Sequence, residues 1–267
     1  MFITEKDYLK TAHELKLNFT NKDYQAYLSE YYVFFARYLV LLCAEGYEKY
    51  SRVEELNYEE AIKILKVSNC KKRIKSILLC EAPPPSPANY FYNPKSSWNS
   101  TLGKPGKGQA YTTAVFNALF AGWVFSSKVE FLEECAKSGF LLLDLFPLPV
   151  NFSTFRRKKG FDSLCVSQFK VNVLAFLRGN ECCISIDSPL GFAFGLKSSG
   201  ESILKDASVI AAFNTWQSGA GIILNPPIPI DALKPFARPD ESVYHRVCAR
   251  RYVLFPISSL LRTSGIL

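Results

Sequence analysis

The chain has 267 residues, with 32 Lys and Arg against 24 Asp and Glu, a formal charge of +8. Hydrophobic residues make up 48% and charged residues 21%, which excludes a disordered, collagenous or coiled-coil protein. The length suits one large domain, or a domain of about 200 residues with an appendage, and a core of that size needs no disulfide or metal to fold.

The N-terminus, Met1-Phe2-Ile3-Thr4-Glu5-Lys6-Asp7, lacks the apolar stretch of a signal peptide. Residues 1–70 carry 9 basic and 11 acidic side chains, whereas residues 71–267 carry 23 and 13 and hold every proline. This predicts a helical N-terminal segment, 1–70, ahead of a second unit, 71–267. In the first, Asn21 and Asp23 are cap candidates before a helix over 24–43, in which Tyr27, Tyr31, Phe34, Phe35, Tyr38 and Leu41 recur at helical spacing. At that spacing dense aromatics read as packing. A second helix is predicted over 58–66. The longest apolar stretch, Tyr31 to Ala44, is broken by Arg37 and too short to cross a bilayer, so no membrane association and a cytoplasmic location are expected.

After residue 70 strands alternate with helices. Ile74 to Cys80 is an apolar run suited to a buried strand, and 82–109, rich in Pro, Gly, Ser and Asn, reads as a long loop. Helices are predicted over 110–120, 128–138, 162–177 and 201–212. Strands are predicted over 139–145 and 181–186, with a fourth from 221–224 or 252–255. The pattern predicts an α/β fold, three layers around a mostly parallel four-stranded sheet. The eight cysteines form no C-x-x-C pair and read as small buried hydrophobes; with only His13 and His245 available, no metal site is expected. Pro83-Pro84-Pro85 stands where a dinucleotide-binding loop needs glycines, so no cofactor is expected either.

In parallel sheets ligands sit beyond the carboxyl ends of the strands. Two of the predicted strands end there in acids, Glu81 and Asp144. They either cap loops and pair with neighbours, or aim polar groups into one crevice to orient water or read a ligand edge. Between them lies Tyr90-Phe91-Tyr92. Three consecutive rings in a loop are not all expected in the core, so at least one should line a cleft and suit stacking on a flat ligand.

Cys80-Glu81-Ala82-Pro83-Pro84 with Tyr90-Phe91-Tyr92 resembles the first motif of the uracil-DNA glycosylase superfamily, nearest to bacterial members reading G-E-[SA]-P-P…F-F-Y. Gly139 to Asp144 resembles that superfamily's second strand, and Leu145 to Asn151 its D-x-x-P-x-P-V-N continuation. The resemblance covers about residues 74–151. It implies that Glu81 opens the water-activating motif and that Ala82 stands where the catalytic Asp of uracil-excising enzymes would be. It also implies that Phe91, or Tyr90 or Tyr92, stacks on a flipped base, and that Asp144 reads the base edge. The family's His-Pro-Ser loop has a weak echo in Phe255-Pro256-Ile257-Ser258, with Phe at the His position. Either the chemistry has moved to Glu81 and Asp144, or the protein binds without cleaving.

Arg156-Arg157-Lys158-Lys159 follows the second strand and is a candidate phosphate-backbone contact, to which Lys104 and Lys107 could add. Lys71-Lys72-Arg73 should lie at the far end of the sheet, on a solvated face. Arg246, Arg250 and Arg251 form a third cluster, and His245 reads as a surface residue. The leading expectation is a DNA-glycosylase-like protein that accommodates, and as an N-glycosidic hydrolase excises, a modified or damaged base, with DNA as partner. The alternatives are a non-catalytic nucleic-acid- or nucleotide-binding module, and a protein-partner surface on the N-terminal helices.

Overall fold

The computed structural model describes residues 4–222, apart from 121, 153–154, 156–158, 188–189 and 196. The N-terminal segment is helical: α1 (Glu5–Glu14), α2 (Asn21–Tyr27), α3 (Val33–Cys43) and α4 (Tyr58–Val67). Helix α1 was not expected. A π-helical turn, Leu28–Tyr32, joins α2 to α3, so that 21–43 runs as one helix. Its cap is Thr20, whose backbone N–H donates to Asp23 at 2.7 Å, while Asn57 and Glu60 exchange bonds of 3.0 and 2.8 Å at the start of α4.

Strand β1 (Ser76–Cys80) is buried at every position. The long loop after it holds only a short 3₁₀ turn, Pro87–Asn89, and a two-residue ribbon, β2 (Trp98–Asn99) against β3 (Lys104–Pro105). Helices α5 (Ala110–Leu119) and α6 (Lys128–Lys137) lead to β4 (Phe140–Asp144). Gly139 follows α6 at φ +76°, and a Cβ there would meet the Arg73 carbonyl oxygen at 2.2 Å, so only glycine makes this turn into the strand. Helices α7 (Phe161–Gln168) and α8 (Ala175–Gly179) are joined by a second π-helical stretch, Phe169–Leu174. Then come β5 (Gly191–Phe194), α9 (Lys197–Leu204) and α10 (Ala207–Gly219). The helix expected over 201–212 is thus two, parted at Asp206, whose carboxylate accepts from the Val209 N–H at 3.0 Å to cap α10.

The sheet is parallel, in the order β4-β1-β5. It has three strands among the described residues, not four. The run 181–186 is no strand: Glu181–Cys183 turns as a 3₁₀ helix and only Ile184 bridges Ile74. The third strand lies a few residues later, at Gly191–Phe194. Of the fourth-strand candidates, Gly221 and Ile222 lie outside any strand, while 223–224 and 252–255 lie outside the described residues. No helix among the described residues is long and apolar enough to cross a membrane.

The edge of β4 away from β1 is closed by tyrosines. Tyr38 on α3 donates to the Phe140 carbonyl. The Tyr92 phenol donates to the Leu142 carbonyl at 2.6 Å and accepts from the Leu142 N–H at 2.7 Å. These bonds satisfy backbone groups that a bare edge strand leaves open. Side chains of the N-terminal helices and of the sheet belong to one hydrophobic core, from Tyr8 to Ile222.

Candidate functional site: a carboxyl in an aromatic pocket

Asp144 is the last residue of β4, at the carboxyl end of the sheet, where it lines a solvent-open cavity of about 80 Å3. The walls come from four places: Tyr27, Tyr32 and Phe35 from the α2–α3 helix, Tyr90 from the loop after β1, Val171, Asn172 and Val173 from the second π stretch, and Phe176 from α8. Both π-helical segments among the described residues therefore contribute to this cavity. A π turn widens the helix by one residue and shifts the side chains that follow, which is why such turns recur at functional sites. Asp7 on α1 adds a second carboxyl, and no cationic side chain lines the cavity among the described residues.

Burial pushes the Asp144 carboxyl up from 3.8 to about 8. No described residue places a hydrogen-bond donor on it. Burial therefore favours the carboxylic acid form, which offers one O–H donor and a carbonyl acceptor side by side. The Tyr27 and Tyr90 phenols are held well above their ordinary range by burial, with neighbouring tyrosines and Asp144 adding to the effect. The wall thus sets the Asp144 carboxyl and the tyrosine phenols among rings, with the Asp7 carboxyl beside them.

Glu81 lies elsewhere. The register pairs Cys80 with Asp144, so Glu81 falls one residue further on. Successive side chains of a strand project to opposite faces, and the two acids part accordingly. Asp144 faces Tyr27 and Tyr90, whereas buried Glu81 accepts from the Ser199 hydroxyl on α9 at 3.0 Å and lies near Cys165 on α7. Glu81 and Ala82 are absent from the cavity wall, and Ala82 packs half-buried on the core.

The expectation that the three loop rings would not all enter the core is corrected: Tyr90, Phe91 and Tyr92 are 3%, 3% and 0% exposed. Tyr31 anchors this loop by donating to the Pro85 carbonyl at 2.9 Å, and the rings extend a continuous aromatic core. Phe91 packs against Tyr92, Phe131 and Phe140. Of the three, only Tyr90 reaches the cavity. Tyr27 and Phe35, which the helical spacing marks as packing, also form its wall, as does Tyr32, which that spacing did not single out.

Arg156, Arg157 and Lys158 lie outside the described residues, as do His245, Arg246, Arg250, Arg251 and 255–258; Lys159, Lys104 and Lys107 are exposed. Lys71 pairs with Glu48. Two further features escaped the sequence reading. Lys128 is buried at the start of α6, donates to Thr112 at 2.9 Å and lies over the Phe91 and Phe131 rings. And while most described cysteines are buried, as expected, three are grouped: Cys70, Cys182 and Cys183 bring their thiols together at the opposite end of the sheet, a group able to hold a metal ion. The adjacent Cys182-Cys183 pair was the one signal in the sequence. Comparison of the chain with protein-family models, with curated proteins and with solved structures finds no match.

Proposed function

We propose that the Asp144 pocket binds a flat heterocycle, a nucleobase or nucleoside, through the neutral Asp144 carboxyl and the surrounding rings, and that binding is not coupled to hydrolysis by Glu81. The observation that carries this reading is the convergence of Asp144, two π-helical segments and five aromatic side chains on one cavity. A carboxylic acid offers the donor-acceptor pair that matches an amide or amidine edge of a base. The resemblance of residues 74–151 to the uracil-DNA glycosylase superfamily supports the same role, since Asp144 stands where that superfamily reads the base edge.

Size and charge narrow the ligand. A cavity of about 80 Å3 is smaller than the ~150 Å3 that encloses a benzene ring, so a base enters edge-first and its glycosidic end stays at the mouth. Among the described residues the wall carries the Asp7 carboxyl and no cation, which favours free bases and nucleosides over nucleotides. The water-positioning carboxylate is missing from the pocket because Glu81 points to the other face. A second reading follows from the same protonation state: neutral Asp144 could give its proton to a departing base, as a general acid.

Calorimetric titration of wild type and Asp144→Asn with bases, nucleosides and nucleotides tests the proposal, with base release from modified oligonucleotides assayed in parallel. Saturable binding of a base or nucleoside, weakened at least about tenfold by a phosphate and by Asp144→Asn, with no base released, is the expected result. Base release abolished by Asp144→Asn would establish the general-acid reading instead. No binding by any base or nucleoside would remove both.

A further inference from the structure

Three chain segments bring four thiols to the amino end of the sheet. Cys43 ends α3, and its carbonyl accepts from the Lys71 N–H at 2.8 Å. Cys70 bridges Ala44, which holds it beside the end of that helix. Cys182 and Cys183 lie in the 3₁₀ turn just before Ile184, whose bridge to Ile74 carries them to the lead-in of β1. The Sγ atoms of Cys70 and Cys183 are 2.7 Å apart, those of Cys70 and Cys182 3.0 Å, and those of Cys182 and Cys183 3.8 Å. Cys43 contacts Cys183 from the core side.

Ordinary packing does not account for this group. Cys43 and Cys183 are buried, Cys70 is half-buried and Cys182 is exposed, so the thiols form a file from core to solvent. An exposed cysteine gains nothing from apolar burial, yet Cys182 turns its sulfur inward beside two others. A soft cation is what thiol groups gathered in this way hold. At a zinc–sulfur distance of about 2.3 Å, tetrahedral sulfurs stand roughly 3.8 Å apart. The Cys182–Cys183 pair already has that spacing, and the other two separations open to it by about 1 Å of side-chain rotation. Lys71, Lys72 and Arg73 follow Cys70 directly and would offset the negative charge of a metal bound by several thiolates.

We propose that Cys70, Cys182 and Cys183, with Cys43 as the fourth ligand, form a thiolate site for a divalent cation of the zinc class. The metal ties the end of α3, the lead-in of β1 and the turn at 181–183 together. Each coordinating thiol passes its proton to solvent as its sulfur bonds the metal, so four thiols and one dication give a complex of charge −2 and four protons; no oxidant or reductant takes part. Because the unfolded chain does not gather these four cysteines, the binding energy adds to the folding energy.

The test uses the whole chain, fully reduced and stripped with a chelator, then titrated with cobalt(II) and afterwards with zinc. Uptake of one cobalt per chain with the absorption of tetrahedral thiolate coordination, its bleaching by zinc, and a rise in Tm with either metal are expected. Cys182→Ser should weaken uptake at least about tenfold, while Cys165→Ala, outside the cluster, should leave it unchanged. Cys182 is exposed, so its variant folds even if Cys70→Ser does not. The proposal is overturned if the reduced protein takes up no metal, if Cys182→Ser binds as wild type does, or if the only product found is a disulfide from Cys70 to Cys182 or Cys183.

Discussion

Replacing Asp144 by Asn separates the two protonation states that the pocket distinguishes. In the folded protein the carboxyl keeps its proton to about pH 8, whereas it ionises near 3.8 when unfolded. Between those values the folded state holds one more proton than the unfolded state. Stability therefore falls as pH rises, by about 1.4 kcal/mol per unit from this group alone, and the contribution present below pH 3.8 is gone above pH 8. The span from 3.8 to 8 sets a ceiling of roughly 6 kcal/mol, and solvent reaching the carboxyl through the open mouth lowers it to ~3 kcal/mol. Asn has nearly the same shape and no proton to lose. Urea unfolding of both proteins across about pH 4 to 9 should give two curves that run together at the acid end, with Asp144→Asn pulling ahead through neutrality and levelling off near 3 kcal/mol. Parallel curves would mean that Asp144 is ionised and solvated in the folded protein, and the neutral-acid account of the pocket would fall with them.

Tyr92→Phe removes one phenol that serves both backbone groups of Leu142, leaving a buried N–H and a buried C=O without partners, and should cost about 2–4 kcal/mol, read as a Tm lower by roughly 5–15 °C. A loss below about 0.5 kcal/mol would show that the edge of β4 is satisfied some other way. Burial pulls the Lys128 ammonium down from 10.5 to about 7, so the unfolded chain holds the extra proton between those values and stability rises with pH across them. Lys128→Met should therefore stabilise most below pH 7 and lose that advantage toward pH 10.5; a gain independent of pH would place the effect in packing rather than charge.

The helices over 24–43, 58–66, 110–120 and 128–138 were legible because apolar residues recur in each at helical spacing, although 33–43 is buried almost all round. Helix α1 was not, since only Tyr8, Thr11 and Ala12 of its ten residues are buried and the stripe is too thin to register. The third strand was misplaced for a tertiary reason. Glu181 to Ile186 has the strand-like side chains, but the chain there makes one bridge to Ile74 and leaves, and the short Gly191–Phe194 takes the length of β1 instead. Both acids could be read as strand ends: Asp144 is the last residue of β4, and Glu81 follows the last residue of β1. What the sequence withholds is register: a shift of one residue between β1 and β4 decides whether Glu81 and Asp144 share a face, and no side chain announces it. Tyr27 and Phe35 were hidden for a related reason, because a ring that packs and a ring that lines a pocket have the same helical spacing.

The α2–α3 helix connects these features in a definite order. Tyr27, Tyr32 and Phe35 wall the pocket at the carboxyl end of β4, Tyr38 bonds the carbonyl of Phe140 at the start of that strand, and Cys43 reaches the thiols beyond it. From Tyr27 to Cys43 the helix rises roughly 24 Å at 1.5 Å per residue, enough to pass the whole of a five-residue strand and both of its ends. It runs opposite to β4, covering the edge that would otherwise stand unpaired. The charge step at residue 70 therefore marks a change in surface chemistry, while the packing crosses it without a break: the acidic segment supplies part of the pocket wall, the cover of the sheet edge and two of the four clustered cysteines.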